Sequence, residues 1–337
     1  MAETDKTSAE TTPRLALSIV IPVFNGARSV AELIGALEDL PIPGGHEIVL
    51  VNDGSADDSL EVLRALFREA RVPMTLIDLA RNYGEHNAVI AGLRHAGGAH
   101  VITMDDDLQN PPEEVQRLLA FTQCSGKQVV YTYYEDKQHP VWRNVASRFA
   151  NRVADFVLDK PSGLYLSSFR CMSAFVAREI TRYEGPFPYV DGLILQVTQD
   201  LDRLLVSHLP RHSGRSNYTI RRLLRLWLNM FVNFSVMPLR ISTFTGLVLS
   251  VFGAVGGAIV IGEALFRSPP PGWASLMAAV LLLSGVQLLI LGIVGEYLGR
   301  LYLTVNRKPQ SVVKEVRCSQ PCHAAERGSP QWLSQHA

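Results

Sequence analysis

A chain of 337 residues has room for a sizeable catalytic domain with something more attached. Its 32 Lys+Arg balance 32 Asp+Glu, so it lacks the basic footprint that nucleic-acid binding needs, and nucleic acid is excluded as a partner. The four cysteines, Cys124, Cys171, Cys318 and Cys322, lack the spacing of a disulfide framework. Residues 1–14 are polar and carry no apolar h-region, so they read as a disordered tail rather than a signal peptide.

Leu15 to Val23 is an apolar run with the pattern of a buried parallel strand, ending at Phe24-Asn25-Gly26. Val30, Leu33, Ile34 and Leu37 then recur at helical spacing and give one core face. Glu47 to Val51 reads as a second strand, closed by Asn52-Asp53-Gly54-Ser55. The following helix is capped by Asp57 or Ser59 and turns Leu60, Leu63 and Phe67 inward. A third strand, Met74 to Leu79, runs into Arg81-Asn82-Tyr83-Gly84 and a helix through Leu93; Val101 to Met104 is the fourth. This alternation predicts right-handed crossovers and an α/β fold with a largely parallel sheet. The loops at Asn25, Asp53, Arg81 and Asp105 then all emerge on one edge.

The fourth strand empties into Asp105-Asp106-Asp107-Leu108-Gln109, and Asn110-Pro111-Pro112 stops it. The carboxyl ends of parallel strands are where open α/β sheets bind ligands. On a continuing strand Asp105 and Asp107 share a face, with Asp106 opposite. Two carboxylates plus the amide oxygen of Gln109 make a hard oxygen site for Mg²⁺ or Mn²⁺, with substrate phosphates completing the shell. The competing reading of the acidic run is a solvated turn, and that of Asp53 is an Asx-turn acid before a helix. No Gly-x-Gly-x-x-Gly and no Walker lysine loop occurs, which argues against a dinucleotide enzyme and a P-loop NTPase.

Taken together, Ser18-Ile-Val-Ile-Pro-Val-Phe-Asn, Val51-Asn-Asp-Gly-Ser, Arg81-Asn-Tyr-Gly and Asp105-Asp-Asp-Leu-Gln-Asn-Pro-Pro resemble the motifs of family 2 glycosyltransferases with the GT-A fold. The resemblance runs from about Leu15 to Lys308 and is to the branch that moves sugars onto polyprenyl phosphates. It implies that Pro22, Asn25, Asp53, Arg81, Asp105, Asp106 and Arg211 bind the nucleotide sugar. It also implies that Asp105, Asp107 and Gln109 hold the metal and diphosphate. Arg143 and Ser147 fall one turn apart, as a guanidinium and a hydroxyl suited to the acceptor's phosphate, with Arg215 as a further phosphate partner. Three departures stand out: Asn25-Gly26 where relatives read Asn-Glu, Asn217 where they carry lysine, and no acid in Gly163-Leu-Tyr-Leu-Ser-Ser-Phe-Arg170. That last window holds the proposed base of the relatives. Asp159 and Asp191 are the nearest substitutes, and Ser168 is expected only to donate a hydrogen bond to the acceptor.

The apolar surplus sits after Met237. A basic amphipathic helix is expected over 221–240, with Arg221, Arg222 and Arg225 among Leu and Trp residues, followed by membrane-crossing helices at 241–266 and 273–299. Arginines flank both outer ends while the hairpin carries Arg267 alone, which puts the catalytic domain and both termini on the cytoplasmic side. Residues 309–337 read as a disordered cytoplasmic tail, and a homo-oligomer stays open. The reading is a membrane-anchored inverting glycosyltransferase. Its alternatives are a catalytically dead nucleotide-sugar binder and a polysaccharide synthase; the Gln-x-x-Arg-Trp element of the synthases is missing.

Overall fold

The computed structural model describes residues 15–134, 164–185, 187–207, 209, 239, 242–248, 251–252, 255–256, 272–306 and 309–319. The first half alternates strand and helix: β1 (Leu15–Val23), α1 (Val30–Glu38), β2 (His46–Asn52), α2 (Ser59–Glu69), β3 (Met74–Leu79), α3 (Glu85–Leu93), β4 (Gly98–Thr103), α4 (Glu113–Ser125) and β5 (Val129–Tyr133). Then come β6 (Arg170–Ser173), α5 (Ala174–Thr181), α6 (Val190–Val197), β7 (Leu201–Leu205), α7 (Trp273–Val305) and β8 (Val313–Cys318).

One eight-stranded sheet has the order β7-β5-β6-β4-β1-β2-β3-β8. The strands β4, β1, β2 and β3 are mutually parallel, as the strand–helix alternation requires. β5 and β7 run the same way, so six of the eight strands described are co-directional and the sheet is mostly parallel, as expected. β6 is antiparallel to both β4 and β5, and β8 is antiparallel to β3, so the sheet is mixed. Apolar periodicity reports which residues are buried but not which strand lies alongside.

Helices cover both faces. Leu17, Ile19, Ile21 and Val23 of β1 join Leu33, Leu63 and Leu118 in one core layer, with α1, α2 and α4. Val20, Val49 and Val51 face the other way, against Ala88 and Ile90 of α3 and Val176 and Ile194 beyond it. That alternation is the two-residue period of a strand buried on both sides. Pro22 sits late in β1, where its missing donor faces the β4 side; that ladder already ends at the bond from the Met104 amide to the Val20 carbonyl.

The C-terminal part departs from expectation in two ways. The apolar helix reaches Val305, six residues past its expected end at 299, and Leu283–Val305 is long and apolar enough to cross a membrane. More important, Val313–Cys318 is not a disordered tail but the edge strand β8, paired along β3. Its high charge hid it, yet on a sheet edge charged side chains are the normal composition. Of the first apolar segment, residues 242–248, 251–252 and 255–256 are helical. The expected amphipathic helix, residues 1–14 and 320–337 lie outside the described residues.

Leu276 and Leu288 of α7 are 67% and 69% exposed, so the helix carries an apolar surface that water does not favour. The full-length protein is expected to stay with the membrane pellet through a carbonate wash and ultracentrifugation. Recovery in the supernatant without detergent would contradict a spanning role for α7.

Candidate active site

The parallel strands deliver four loops to one edge, and the loops are laced together. Asn25 adopts a left-handed conformation (φ 56°), which Asn tolerates better than most residues. Its amide donates to Ser55 Oγ at 3.1 Å, while its own side-chain oxygen accepts from the Ala56 amide at 2.8 Å. The Gly26 amide donates to Ser59 Oγ at 2.9 Å. The cap position of α2 falls on Asp58 rather than on Asp57 or Ser59 and makes no side-chain cap bond, while Asp57 accepts the Ser59 amide at 3.1 Å.

Asp53 is buried, and the backbone N–H groups of Tyr83 and Gly84 donate to its two carboxylate oxygens at 2.7 and 2.9 Å. Burial raises its pKa and the two amides oppose the rise. These bonds are not those of an Asx turn before α2; they reach across to the third loop and hold it in place. Gly54 makes this possible. It has φ 61°, and a β-carbon there would lie 2.3 Å from the Arg81 carbonyl carbon, so no side chain fits between the loops. Arg81 is exposed, with its guanidinium 4.8 Å over the Tyr83 ring.

β4 ends at Thr103, one residue earlier than expected, so the three aspartates lie on a bend rather than a continuing strand. They still diverge. Asp105 Oδ2 accepts from Ser168 Oγ at 2.7 Å, and Asp107 Oδ1 accepts the Gln109 amide at 3.2 Å across Leu108, itself at φ 59°. Asp106 turns under the first loop: a β-carbon at residue 26 would lie 2.0 Å from its Oδ2. The departure to Gly26 thus has a physical counterpart, since the Asp106 carboxylate occupies that space. Burial first, and then the Asp105 and Asp107 charges, push Asp106 up to about 7. Its Oδ2 is buried with no hydrogen-bond partner.

Among the described residues no three His, Cys, Asp or Glu side chains form a ready-made metal cage. The donor set nevertheless suits a hard divalent ion. Mg²⁺ in particular is held by one or two carboxylates with substrate phosphates and water completing the shell. Crowded carboxylates, one of them with an oxygen left without a hydrogen bond, are the electrostatic complement of such a cation.

Ser168, expected as a donor to the acceptor, has a partner within the site itself. Its hydroxyl proton goes to Asp105, and its backbone carbonyl accepts from Thr103 Oγ1 at 2.6 Å, so it orients the acidic turn. Asp191 is likewise not a spare base. It is buried in an ion pair with Arg170 and accepts from Tyr131 Oη at 3.1 Å. Arg170 in an otherwise apolar strand was the signal for this cluster, because a buried guanidinium requires an acid. Arg143, Ser147, Asp159, Arg211, Arg215 and Asn217 lie outside the described residues.

The fold and this edge define an α/β enzyme of the GT-A type. Residues 18–181 match the family model "Glycosyl transferase family 2", and residues 237–301 match "GtrB C-terminal hairpin". An undecaprenyl-phosphate 4-deoxy-4-formamido-L-arabinose transferase from Pseudomonas savastanoi pv. phaseolicola is 33% identical over 89% of this chain and 90% of its own. The protein of that name from Yersinia pestis is 31% identical over 89% and 93%. Among solved structures, glucosyl-3-phosphoglycerate synthase from Mycobacterium tuberculosis reaches a TM-score of only 0.48 at 17% identity, over 65% of this chain and 78% of that one. That is too loose to carry an argument. The chain belongs to glycosyltransferase family 2.

Two predictions concern the cluster beside the site. Removing one partner of a buried ion pair costs about 3–5 kcal/mol, so Asp191→Asn should lower unfolding free energy by that order. A relocated base would instead abolish turnover in a protein of unchanged stability. His86 packs edge-on to Tyr189 at 5.0 Å. Burial brings its pKa from 6.5 to about 4, with Arg170 lowering and Asp191 raising it. A lowered histidine is neutral in the folded state, so its stability contribution is full above 6.5 and is lost as pH falls toward 4. On the order of 2 kcal/mol should disappear by pH 5. A melting series from pH 7.5 to 5 on the parent and His86→Gln checks this; equal slopes would refute it.

Proposed function

We propose that this glycosyltransferase moves a sugar from a nucleotide diphosphosugar, UDP-linked, to a polyprenyl phosphate at the cytoplasmic face of a membrane. Undecaprenyl phosphate is the acceptor, as in the names of its relatives. The observation that carries the reading is the convergence of the Asn25, Asp53, Arg81 and Asp105 loops on one sheet edge, in a chain that also holds an apolar helix of 33 residues. Support for a two-span anchor comes from the hairpin match over 237–301 and from the uncharged stretch Ile241 to Gly262. Support for the cytoplasmic face comes from the arginines outside the hairpin.

The reaction is a single in-line displacement. An oxygen of the acceptor phosphate attacks the anomeric carbon, the bond to the donor's diphosphate breaks, and its electron pair leaves with the nucleoside diphosphate. The configuration inverts. A divalent ion held by Asp105, Asp107 and Gln109 would neutralise charge on the departing diphosphate. Ser168 keeps Asp105 turned toward the edge, and Asp53 holds the loop that presents Arg81. Pro22, Asn25, Asp106 and Arg211 complete the donor side, and Arg143, Ser147 and Arg215 take the acceptor phosphate.

The missing acid at Leu164-Tyr165 does not stop this chemistry. A sugar hydroxyl generally needs a base, but a phosphate monoester has a second pKa near about 6 and is mostly dianionic at neutral pH. Orientation by cations then supplies what a base would. The test is to incubate membranes with a panel of radiolabelled nucleotide sugars and extract the lipid. One sugar should appear in lipid phosphate, and Asp107→Asn should lower transfer at least a hundredfold. Transfer that is indifferent to both EDTA and Asp107→Asn would remove the metal assignment.

A further inference from the structure

The segment just beyond α7 is bound to the catalytic domain more thoroughly than a connecting tail needs to be. Gln310, five residues past Val305, is 7% exposed, and its amide is fully engaged. Nε2 donates to the carbonyls of Tyr183 and Gly185 at 2.7 and 2.8 Å, and Oε1 accepts from Arg94 at 2.9 Å. Arg94 closes α3, the helix that starts at the Gly84 end of the loop held by Asp53.

From Gln310 the chain runs straight into pairing with β3. The Ala80 amide donates to the Val312 carbonyl at 2.9 Å, one residue before Arg81. β8 then follows β3 from Leu79↔Val313 to Thr75↔Cys318. The far end is closed by bonds from the Met74 amide to Ser319 Oγ at 2.8 Å and from the Ser319 amide to the Met74 carbonyl at 2.9 Å. A side-chain bridge from Arg64 of α2 to Glu315 at 3.1 Å ties the strand to a second element. The apolar helix is therefore joined, through a few residues, to the strand that feeds the Arg81 loop.

We propose that Gln310 and β8 form a clamp that fixes the height of the catalytic edge above the bilayer, with Gln310 as a positioning residue for a lipid-anchored acceptor. The proposal rests on the acceptor assigned above. An acceptor phosphate on a membrane lipid lies at a set depth, so a site held at a set distance meets it at high effective concentration. A site on a loose tether meets it less often and in more orientations. A short-chain acceptor free in water has no fixed depth and gains nothing from the clamp.

Two changes test this in nanodiscs. One is Gln310→Ala. The other inserts six Gly-Ser residues after Asn306, which leaves Gln310, β8 and every bond above intact while freeing the helix. For both, kcat/KM with undecaprenyl phosphate in the bilayer should fall at least tenfold, while transfer to a water-soluble short-chain prenyl phosphate stays within twofold of the parent. The insertion should keep the parental melting temperature, which separates positioning from stability. If the insertion leaves bilayer transfer within twofold, or if both acceptors fall together, the clamp is overturned.

A second readout needs no acceptor. Spin labels on the exposed native Cys124 and on Leu288→Cys should give one narrow distance distribution in the parent and a broad one after the insertion. Unchanged width also overturns the clamp. A parent that shows a narrow distribution but transfers to neither acceptor would instead count against the assigned acceptor.

Discussion

The candidate site depends on two short bonds to one buried carboxylate. Asp53 can accept the Tyr83 and Gly84 amides only because Gly54 lets the second and third loops approach to a distance no side chain permits. Left without Asp53, two part-buried amides at the start of α3 would lose their acceptor, and a buried donor left unmet costs about 1–3 kcal/mol. The first loop then locks to the second through Asn25, Ser55, Gly26 and Ser59. Asp106, filling the space beneath Gly26, adds the fourth. Strand order brings the loops to one edge, but these contacts decide their relative heights.

Electrostatics pulls the same edge the opposite way. Three adjacent aspartates at the end of β4 repel one another, and the raised Asp106 records that repulsion together with its burial. The arrangement persists because each carboxylate is turned elsewhere: Asp105 to Ser168, Asp107 to the Gln109 amide, Asp106 beneath the first loop. Strain accompanies it, since Leu108 sits at φ 59°, a region that costs a non-glycine residue about 1 kcal/mol or more. Strain and crowded charge kept side by side are what the proposed divalent ion would offset.

What was legible in the sequence follows from what local pattern can report. Val30, Leu33, Ile34 and Leu37 are buried as their spacing required, and β1 and β3 have the expected bounds. The family resemblance, carried by four short motifs, agrees with the family assignment. Partnership between distant residues was not legible. That Arg170 answers Asp191, that Ser168 serves Asp105, and that a charged hexapeptide at 313–318 completes the sheet all depend on pairings across dozens or hundreds of residues. Gly26 was visible only as a departure from the motif, and its meaning required knowing what lies beneath it.

The last strand has a bearing on how the molecule is made. β3 is an edge strand until β8 arrives, and β8 is synthesised only after the whole of α7. During translation the catalytic sheet therefore waits with an open row of amides and carbonyls, the feature most prone to wrong pairing. If α7 spans a membrane as proposed, its 33 residues enter lipid before the strand that follows them can reach the domain. Insertion into lipid and completion of the sheet would then be consecutive steps of one maturation. A copy stalled before that point would present the bare edge of β3, the surface that quality-control proteases and chaperones recognise.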